Sequence, residues 1–344
     1  MKPFLAGQNL ENLLAYCRER KFPSFRAKQI YSWLYDHAAV SVDKMKNLPG
    51  ELRNALAEDF YIPGSVISGS ERAADGVEKL LLTLYDGECI EMVVIPAADG
   101  RVTFCLSTQV GCPVMCKFCA SGKHGLTRNL LAGEMLEEFA WGIERAGRPD
   151  NLVFMGIGEG LLNFDELAAA LTTLVDDYRF SPRRITVSTS GYVPGMKQFA
   201  TLKREYNLAV SLHAVDDNTR SKIIPAHFRY PVQEILAAAD EIRDANGRQY
   251  TLEYTLIAGI NDSLDAAEKL GRIAVSHRAK VNLIPYNETG NEFRRPEKSV
   301  ISEFEKCVAA TGARVTCRVE KGSKKTAACG QLRAARIDRN EGER

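Results

Sequence analysis

Apolar positions along the chain fall into two regimes. Over the N-terminal stretch they recur at helical spacing. Leu10, Leu13, Leu14 and Cys17 do so within residues 9–19, and Phe25, Ile30, Trp33 and Leu34 within residues 24–35. Residues 52–60 repeat the pattern, and Pro49-Gly50 reads as a turn before them. A β-like stretch follows at 80–84 and 90–95, joined through Asp86-Gly87, a hairpin signal. From Arg101 onward strands and helices alternate. Strands are expected at 102–107, 152–155, 184–188, 208–213, 250–257 and 281–285. Helices are expected at 134–146, 165–176, 196–203, 232–245 and 264–275, with 303–310 after the sixth strand. Such alternation implies an α/β fold with a parallel sheet covered by helices. Six repeats fall short of an eight-stranded barrel, so a partial (β/α)6 barrel is expected, with its site in the loops at the C-terminal ends of the strands. A further strand at 314–319 leads into a polar loop and Cys329. The organisation reads as a small helical domain at 1–62, a short β extension or connector at 63–100, and the α/β core at 101–344.

Composition narrows the class. The 344 residues are 45% hydrophobic and 26% charged, ordinary for a soluble globular chain. A net charge of +1 excludes a histone-like polycation, while a local basic face remains compatible with nucleic acid. Arg183-Arg184, Arg294-Arg295, Lys321, Lys324-Lys325 and the 333–339 tail are the basic groups such a face would draw on; a merely solvated surface is the plain alternative. The N-terminus lacks the apolar core of a signal peptide, and no apolar run reaches the roughly 18 residues a membrane span needs. A cytoplasmic protein without membrane association is expected, with reduced thiols. It nevertheless carries nine cysteines: Cys17, Cys89, Cys105, Cys112, Cys116, Cys119, Cys307, Cys317 and Cys329. Clustered thiols in a reducing compartment point to a metal site or thiol chemistry.

The cluster is Gly111-Cys112-Pro113-Val114-Met115-Cys116-Lys117-Phe118-Cys119, a C-x3-C-x2-C directly after the first strand of the βα series. Its three thiolates can hold three irons of a [4Fe-4S] cluster, leaving the fourth iron open to a small chelating ligand. The amino and carboxylate groups of S-adenosylmethionine suit that position, and an electron from the cluster can cleave its sulfonium bond to give a 5′-deoxyadenosyl radical. Zinc is the competing reading, but zinc takes four protein ligands, often from paired C-x2-C knuckles, and no second knuckle is present.

The surrounding wording is more specific. Thr103-Phe104-Cys105-Leu106-Ser107-Thr108-Gln109-Val110-Gly111-Cys112, Arg128-Asn129-Leu130, Met155-Gly156-Ile157-Gly158-Glu159, Ser211-Leu212-His213-Ala214 and Ala327-Ala328-Cys329-Gly330-Gln331-Leu332 together resemble the RlmN/Cfr family of radical S-adenosylmethionine RNA adenine methyltransferases. Phe25-Arg26-Ala27-Lys28-Gln29-Ile30 resembles that family's N-terminal domain, so the likeness spans nearly the whole chain and implies an RNA-binding accessory role for residues 1–62. By motif, the resemblance assigns cofactor contacts to Gly158, Glu159, Ser188, Ser211, Leu212, His213 and Asn287, with Glu159 accepting from the cofactor's amino group. A phosphate loop is the alternative for Gly156-Ile157-Gly158-Glu159-Gly160, but the full spacing is missing and Glu159 repels phosphate. A lone His213 is more often a packed core residue, and it is not read as a metal ligand.

The resemblance also implies roles for two isolated cysteines. Cys329 receives a methyl group from one S-adenosylmethionine, a second supplies the radical, and Cys105 later forms a disulfide with Cys329. Carbons 2 and 8 of adenine are electron-poor and cannot attack a methyl sulfonium, whereas a carbon radical derived from the S-methyl group can add to them. Glu91, within Ile90-Glu91-Met92, matches the family's proton acceptor; by itself it reads as a solvated strand glutamate. Cys17, Cys89, Cys307 and Cys317 read as structural.

The expected activity is methylation of carbon 2 of an adenine in 23S ribosomal RNA, with transfer RNA a further candidate substrate. A flavodoxin-type reductase is the expected electron donor, and a monomer the expected state. Thr186-Val187-Ser188-Thr189-Ser190-Gly191 and Thr127-Arg128-Asn129-Leu130 read like the carbon 2 branch. The short chain, Ser221-Lys222, Arg229-Tyr230-Pro231 and Ile260-Asn261-Asp262-Ser263 lean toward the carbon 8 resistance branch. A metal-stabilised RNA-binding protein is the non-enzymatic alternative, and it leaves Cys105 and Cys329 unexplained. Two positions depart from the family pattern: Gly160 stands where proline or alanine is usual, and Lys321-Gly322-Ser323-Lys324-Lys325-Thr326 replaces an acidic stretch before the terminal cysteine.

Overall fold

The computed structural model describes residues 2–225, 230–288 and 292–317. Three helices open the chain: α1 (Leu10–Glu19), α2 (Phe25–Tyr35) and α3 (Gly50–Asp59). The Asn9 side chain caps α1 by accepting from the Asn12 amide. Pro49 ends the preceding turn and Gly50 already belongs to α3, so the helix starts two residues earlier than its apolar pattern suggests. These helices pack on the rest of the chain through α2. Tyr31 donates to Asp177 at 2.8 Å, and Tyr35 meets Tyr178 edge-to-face.

Three strands follow, β1 (Ser65–Arg72), β2 (Glu78–Leu84) and β3 (Cys89–Pro96), paired antiparallel. The β2–β3 hairpin turns at Asp86-Gly87 as expected, with Gly87 at φ +86°. β1 escaped the sequence reading because its side chains are mostly exposed and Gly69 interrupts them at a register shift.

The core series then runs β4 (Val102–Cys105), β5 (Gln109–Gly111), β6 (Leu126–Asn129), α4 (Ala132–Ala146), β7 (Asn151–Phe154), α5 (Phe164–Asp176), β8 (Ile185–Thr189) and α6 (Val193–Ala200). It continues with β9 (Asn207–Ser211), α7 (Asp217–Ile223), α8 (Val232–Asn246), β10 (Thr251–Leu256), α9 (Leu264–Ser276), β11 (Lys280–Pro285), α10 (Lys298–Ala310) and β12 (Arg314–Cys317). The strands form one sheet in the order β1-β2-β3-β4-β7-β8-β9-β10-β11-β12, and β5 pairs only with β6. From β4 through β12 neighbouring strands are parallel, while β3 joins β4 antiparallel. The partial (β/α)6 barrel is therefore present, and β1–β3 extend its sheet at one edge while β12 extends it at the other. The short pair β5–β6, helix α7 and the N-terminal start of α6 were not legible. They are too brief for periodicity, and α6 begins at a Pro-containing turn.

Alternation along the parallel strands divides two environments. Leu152, Phe154, Ile185, Val187, Leu208, Val210, Leu252, Tyr254, Val281 and Leu283 join the core under the helices. The intervening residues face the barrel interior. Parallel strands buried on both faces are ordinarily apolar on both. Here the interior face carries Thr186, Ser188, Ser211, Glu253 and Asn282, which is the signature of a site rather than a second core.

Candidate active site

The cysteine loop hangs between β5 and β6. Gly111 has φ +82°, and a Cβ there would stand 2.0 Å from the Gly125 carbonyl oxygen, so only glycine lets the two arms of the loop meet. The Cys112 amide donates to that same oxygen at 2.9 Å, and the Cys119 amide donates to the Cys116 carbonyl at 3.0 Å. Burial raises the Cys112 thiol to about 12, with the neighbouring Cys119 adding to the effect. Burial also drives Cys116 well above its ordinary value, against the pull of the buried Arg220 guanidinium. Among the described residues no three His, Cys, Asp or Glu side chains converge tightly enough to hold a single ion. Three thiols in one loop can each bind a different iron of a cluster.

Beside this loop the chain leaves β7 and turns through Gly158, at φ +118°. Glu159 follows, 4% exposed. Its amide donates to Gln109 Oε1 at 2.8 Å, and its Oε2 accepts from the Ser190 amide at 2.6 Å. Its Oε1 is buried with no hydrogen-bond partner. Burial raises the Glu159 pKa, opposed by hydrogen bonds from Ser190, Thr189 and Leu161. A buried carboxylate oxygen left unsatisfied is costly, and an ammonium group would satisfy it. Glu159 is also close enough to Cys112 and Cys116 to raise both thiols. The residues thus fit a ligand whose amino group lies between Glu159 and the cluster position. Gly160 has room limited by Leu167 Cδ2 at 3.2 Å and Thr108 Cγ2 at 3.3 Å, so the glycine departure keeps a tight turn without needing positive φ.

Across the barrel mouth, Ser188 Oγ and Ser211 Oγ lie 3.5 Å apart at the ends of β8 and β9. Leu212 and His213 continue from β9, both amides donating to the Glu253 carbonyl. His213 sits at φ +57° and accepts at Nδ1 from the Thr255 amide at 3.0 Å. Burial lowers its pKa to about 3, so the ring is neutral, and Phe118 of the cysteine loop packs edge-on to it at 4.9 Å. The side chain of His213 is a structural support for the cluster loop. Asn287 follows β11 at the same end of the barrel. Arg220, fully buried, donates to the carbonyls of Leu212, Ser190 and Tyr230, tying these loops together. Asn261 does likewise from the other side, accepting from the Ile257 amide and donating to the carbonyls of His213 and Thr255. Sequence reasoning missed Arg220, and took Ser190 and Asn261 only as branch wording. A single buried arginine has no local pattern.

Cys105 and Glu91 share the interior face of β3 and β4. Cys105 pairs in register with Val93, so Glu91 is one same-face position away. Glu91 is 1% exposed, which replaces the solvated reading with a buried carboxylate. Val77, Val93 and Cys105 form a small apolar cluster, with Val153 and Met155 against it. Cys329, its pairing with Cys105, and the departure at 321–326 lie outside the described residues.

Comparison with known proteins matches this geometry. The family model of the radical SAM superfamily matches residues 106–270, and that of the ribosomal RNA large subunit methyltransferase N-terminal domain matches residues 5–62. The chain is 44% identical to a probable dual-specificity RNA methyltransferase RlmN 3 of Opitutus terrae, over 96% of this chain and 94% of that one. The chain belongs to the RlmN family of radical SAM RNA methyltransferases. A dual-specificity RNA methyltransferase RlmN of Geotalea uraniireducens is 41% identical over 96% of each chain. The crystal structure of a radical SAM methyltransferase from Sphaerobacter thermophilus superposes with a TM-score of 0.91 at 40% identity, covering 96% of this chain and 99% of that one. Membership in the RlmN family brings a [4Fe-4S] cluster, S-adenosylmethionine and an RNA substrate. No helix among the described residues is long and apolar enough to cross a membrane.

Proposed function

We propose that this RlmN-family enzyme methylates carbon 2 of an adenine in 23S ribosomal RNA, and in transfer RNA, through a methylated Cys329, consuming two S-adenosylmethionine molecules per turnover. The observation that carries this reading is the placement of Cys105 and Glu91 on one buried face of the barrel interior, beside but not within the cluster-binding loop. A thiol there has no ligand role. It suits release of a product held covalently on a second cysteine, and relatives named as dual-specificity RNA methyltransferases support more than one RNA substrate.

The cluster and cofactor supply one-electron cleavage and the methyl group when bound. Cys112, Cys116 and Cys119 hold the cluster; Glu159 anchors the cofactor's amino group, with Gly158, Ser188, Ser211, Leu212, His213 and Asn287 lining its seat. Glu91 takes the proton from the ring carbon. Cys105 attacks the Cys329 sulfur and forms the disulfide as the sulfur–methylene bond breaks; the methylene carbon keeps that electron pair and takes a proton to become the methyl group of the freed base, and the reductase returns both cysteines to thiols. The helical 1–62 segment binds RNA, from which the target base must leave its stack. The protein acts as a cytoplasmic monomer served by a flavodoxin-type reductase.

The test is covalent trapping. Cys105→Ala, expressed with cellular RNA, should keep its iron and run on denaturing gels as a ribonuclease-sensitive adduct, whereas Cys329→Ala should form none. Glu91→Gln should slow product release. Equal crosslinking in the two cysteine variants refutes the covalent route, and mass spectrometry of the product nucleoside decides carbon 2 against carbon 8.

A further inference from the structure

Between Cys105 and Cys112 the chain runs along the 157–159 loop and is bonded to it through Ser107, Thr108 and Gln109. The Thr108 and Gln109 amides both donate to the Ile157 carbonyl, at 2.9 and 3.1 Å, and Gln109 Oε1 accepts from the Glu159 amide. Ser107 sits at the head of this rail, 0% exposed. Its hydroxyl donates to the Glu91 carbonyl at 2.7 Å and accepts from the Ile157 amide at 3.0 Å, so its single donor and one of its two lone pairs join the Glu91 strand to the cofactor loop. The Ser107 amide in turn donates to both carboxyl oxygens of Glu138, at 3.0 and 3.2 Å.

Glu138 is remarkable only in its surroundings: it projects from α4 beneath the sheet, 0% exposed, with no salt bridge among those formed by the described residues. A carboxyl in such a place is expensive unless something needs an acceptor there. Among the described residues its oxygens accept from the Ser107 amide, two residues after Cys105.

We propose that Glu138 and Ser107 form a buried brace that fixes Glu91, Cys105 and the 157–159 loop relative to one another, making Glu138 a positioning residue for methyl transfer. The proposal rests on the reading of Glu91, Cys105 and Glu159 given above. The brace acts through acceptor geometry, not through charge. Burial pushes the Glu138 carboxyl well above its usual range, so an amide oxygen should replace it. Loss of the acceptor frees Ser107 to tilt, and both ends of its hydroxyl bridge move together.

The experiment uses the anaerobically reconstituted full-length enzyme with 23S ribosomal RNA from cells lacking the gene. It measures the KM for S-adenosylmethionine, the ratio of methylated adenine to 5′-deoxyadenosine, and the cluster's iron content and electron paramagnetic resonance. Glu138→Leu should raise the KM about tenfold, as expected for misplacing one charge-assisted contact, and should lower the product ratio several-fold with the cluster signal unchanged. Glu138→Gln should stay within about twofold of wild type on both measures, on the scale of a retained hydrogen bond. Ser107→Ala, which removes the bridge without burying a new group, should reproduce the Leu phenotype and decides the matter if Glu138→Leu does not fold. Wild-type KM and product ratio in Ser107→Ala overturn the brace, and so does a Gln variant as damaged as the Leu variant. Glu159→Gln separates the two levels. If it binds S-adenosylmethionine normally, the underlying site reading falls and the brace with it; if it loses the cofactor while Ser107→Ala keeps it, the brace alone is refuted.

Discussion

Gly158→Ala isolates the cofactor loop from the rest of the fold. Gly158 stands at φ +118°, and a Cβ there would lie 2.6 Å from Thr108 Oγ1, 2.8 Å from Gln109 Cβ and 2.9 Å from the Gln109 amide nitrogen. The backbone conformation costs an alanine about 1–3 kcal/mol. The overlap costs a further 1–3 kcal/mol or so if nothing moves. Because one of the obstructing atoms is backbone, the loop and not the neighbour has to yield. Relief by moving the loop sacrifices the Glu159 amide bond to Gln109, net about 1 kcal/mol, which is less than the strain it removes. Opening the overlap to ordinary contact requires a displacement of about 0.5–1 Å, enough to spoil a charge-assisted hydrogen bond at the Glu159 carboxylate. That bond is worth about 1.5–3 kcal/mol, so S-adenosylmethionine should bind about 10–100-fold more weakly, while thermal stability falls by only a few degrees. The assay is calorimetric titration of the reconstituted protein with S-adenosylmethionine, paired with thermal melting by circular dichroism. Gly247→Ala is the matched control. It is also at positive φ, +71°, but has nothing within 4 Å of its Cβ and lies at the C-terminus of α8, so it should lose about 1 kcal/mol of stability and no affinity. Wild-type affinity in Gly158→Ala would refute the role of this turn in placing Glu159.

Replacing any one of Cys112, Cys116 or Cys119 with Ala should abolish the cluster chromophore and deoxyadenosine formation, and a four-iron cluster retained in the triple variant would overturn the assignment. Asn261→Leu leaves the Ile257 amide and the His213 and Thr255 carbonyls without their partner, and should destabilise the fold by about 3–5 kcal/mol in urea titrations. Glu137, bonded to the Gly64 amide and the Ser65 hydroxyl, has its pKa raised by burial from 4.5 to about 7. The folded state therefore holds the proton more tightly than the unfolded one, its stabilising effect is complete below pH 4.5, and it is lost as pH rises to about 7. Glu137→Gln should flatten that decline, measured as the difference in unfolding free energy between the two ends of the window; an identical pH profile in wild type and variant would disprove it.

The alternation of apolar runs was enough to place the parallel strands and most of the helices around them, because each buries one continuous face against a single large core and so repeats over many residues. The cysteine spacing and the wording around it likewise exposed the cluster loop, since three ligands to one cluster must come close together in sequence when they share a loop. Tertiary structure decided what periodicity cannot carry. β1 is half exposed and bulged, and β5 and β6 are too short to show a period. The polar interior of the barrel emerges only when Ser188, Ser211, Glu253 and Asn282 from separate strands are brought to one face. Glu91 reads as a surface glutamate until β4 closes over it at Cys105. Ser107, Gln109, Glu138, Arg220 and Asn261 have no local signature, because each acts on backbone atoms contributed by distant segments: the Glu138–Ser107 contact spans 31 residues and the Asn261–His213 contact 48. Chemistry that resides in ligand spacing is written along the chain; chemistry that depends on satisfying buried backbone groups exists only once the chain has folded around them.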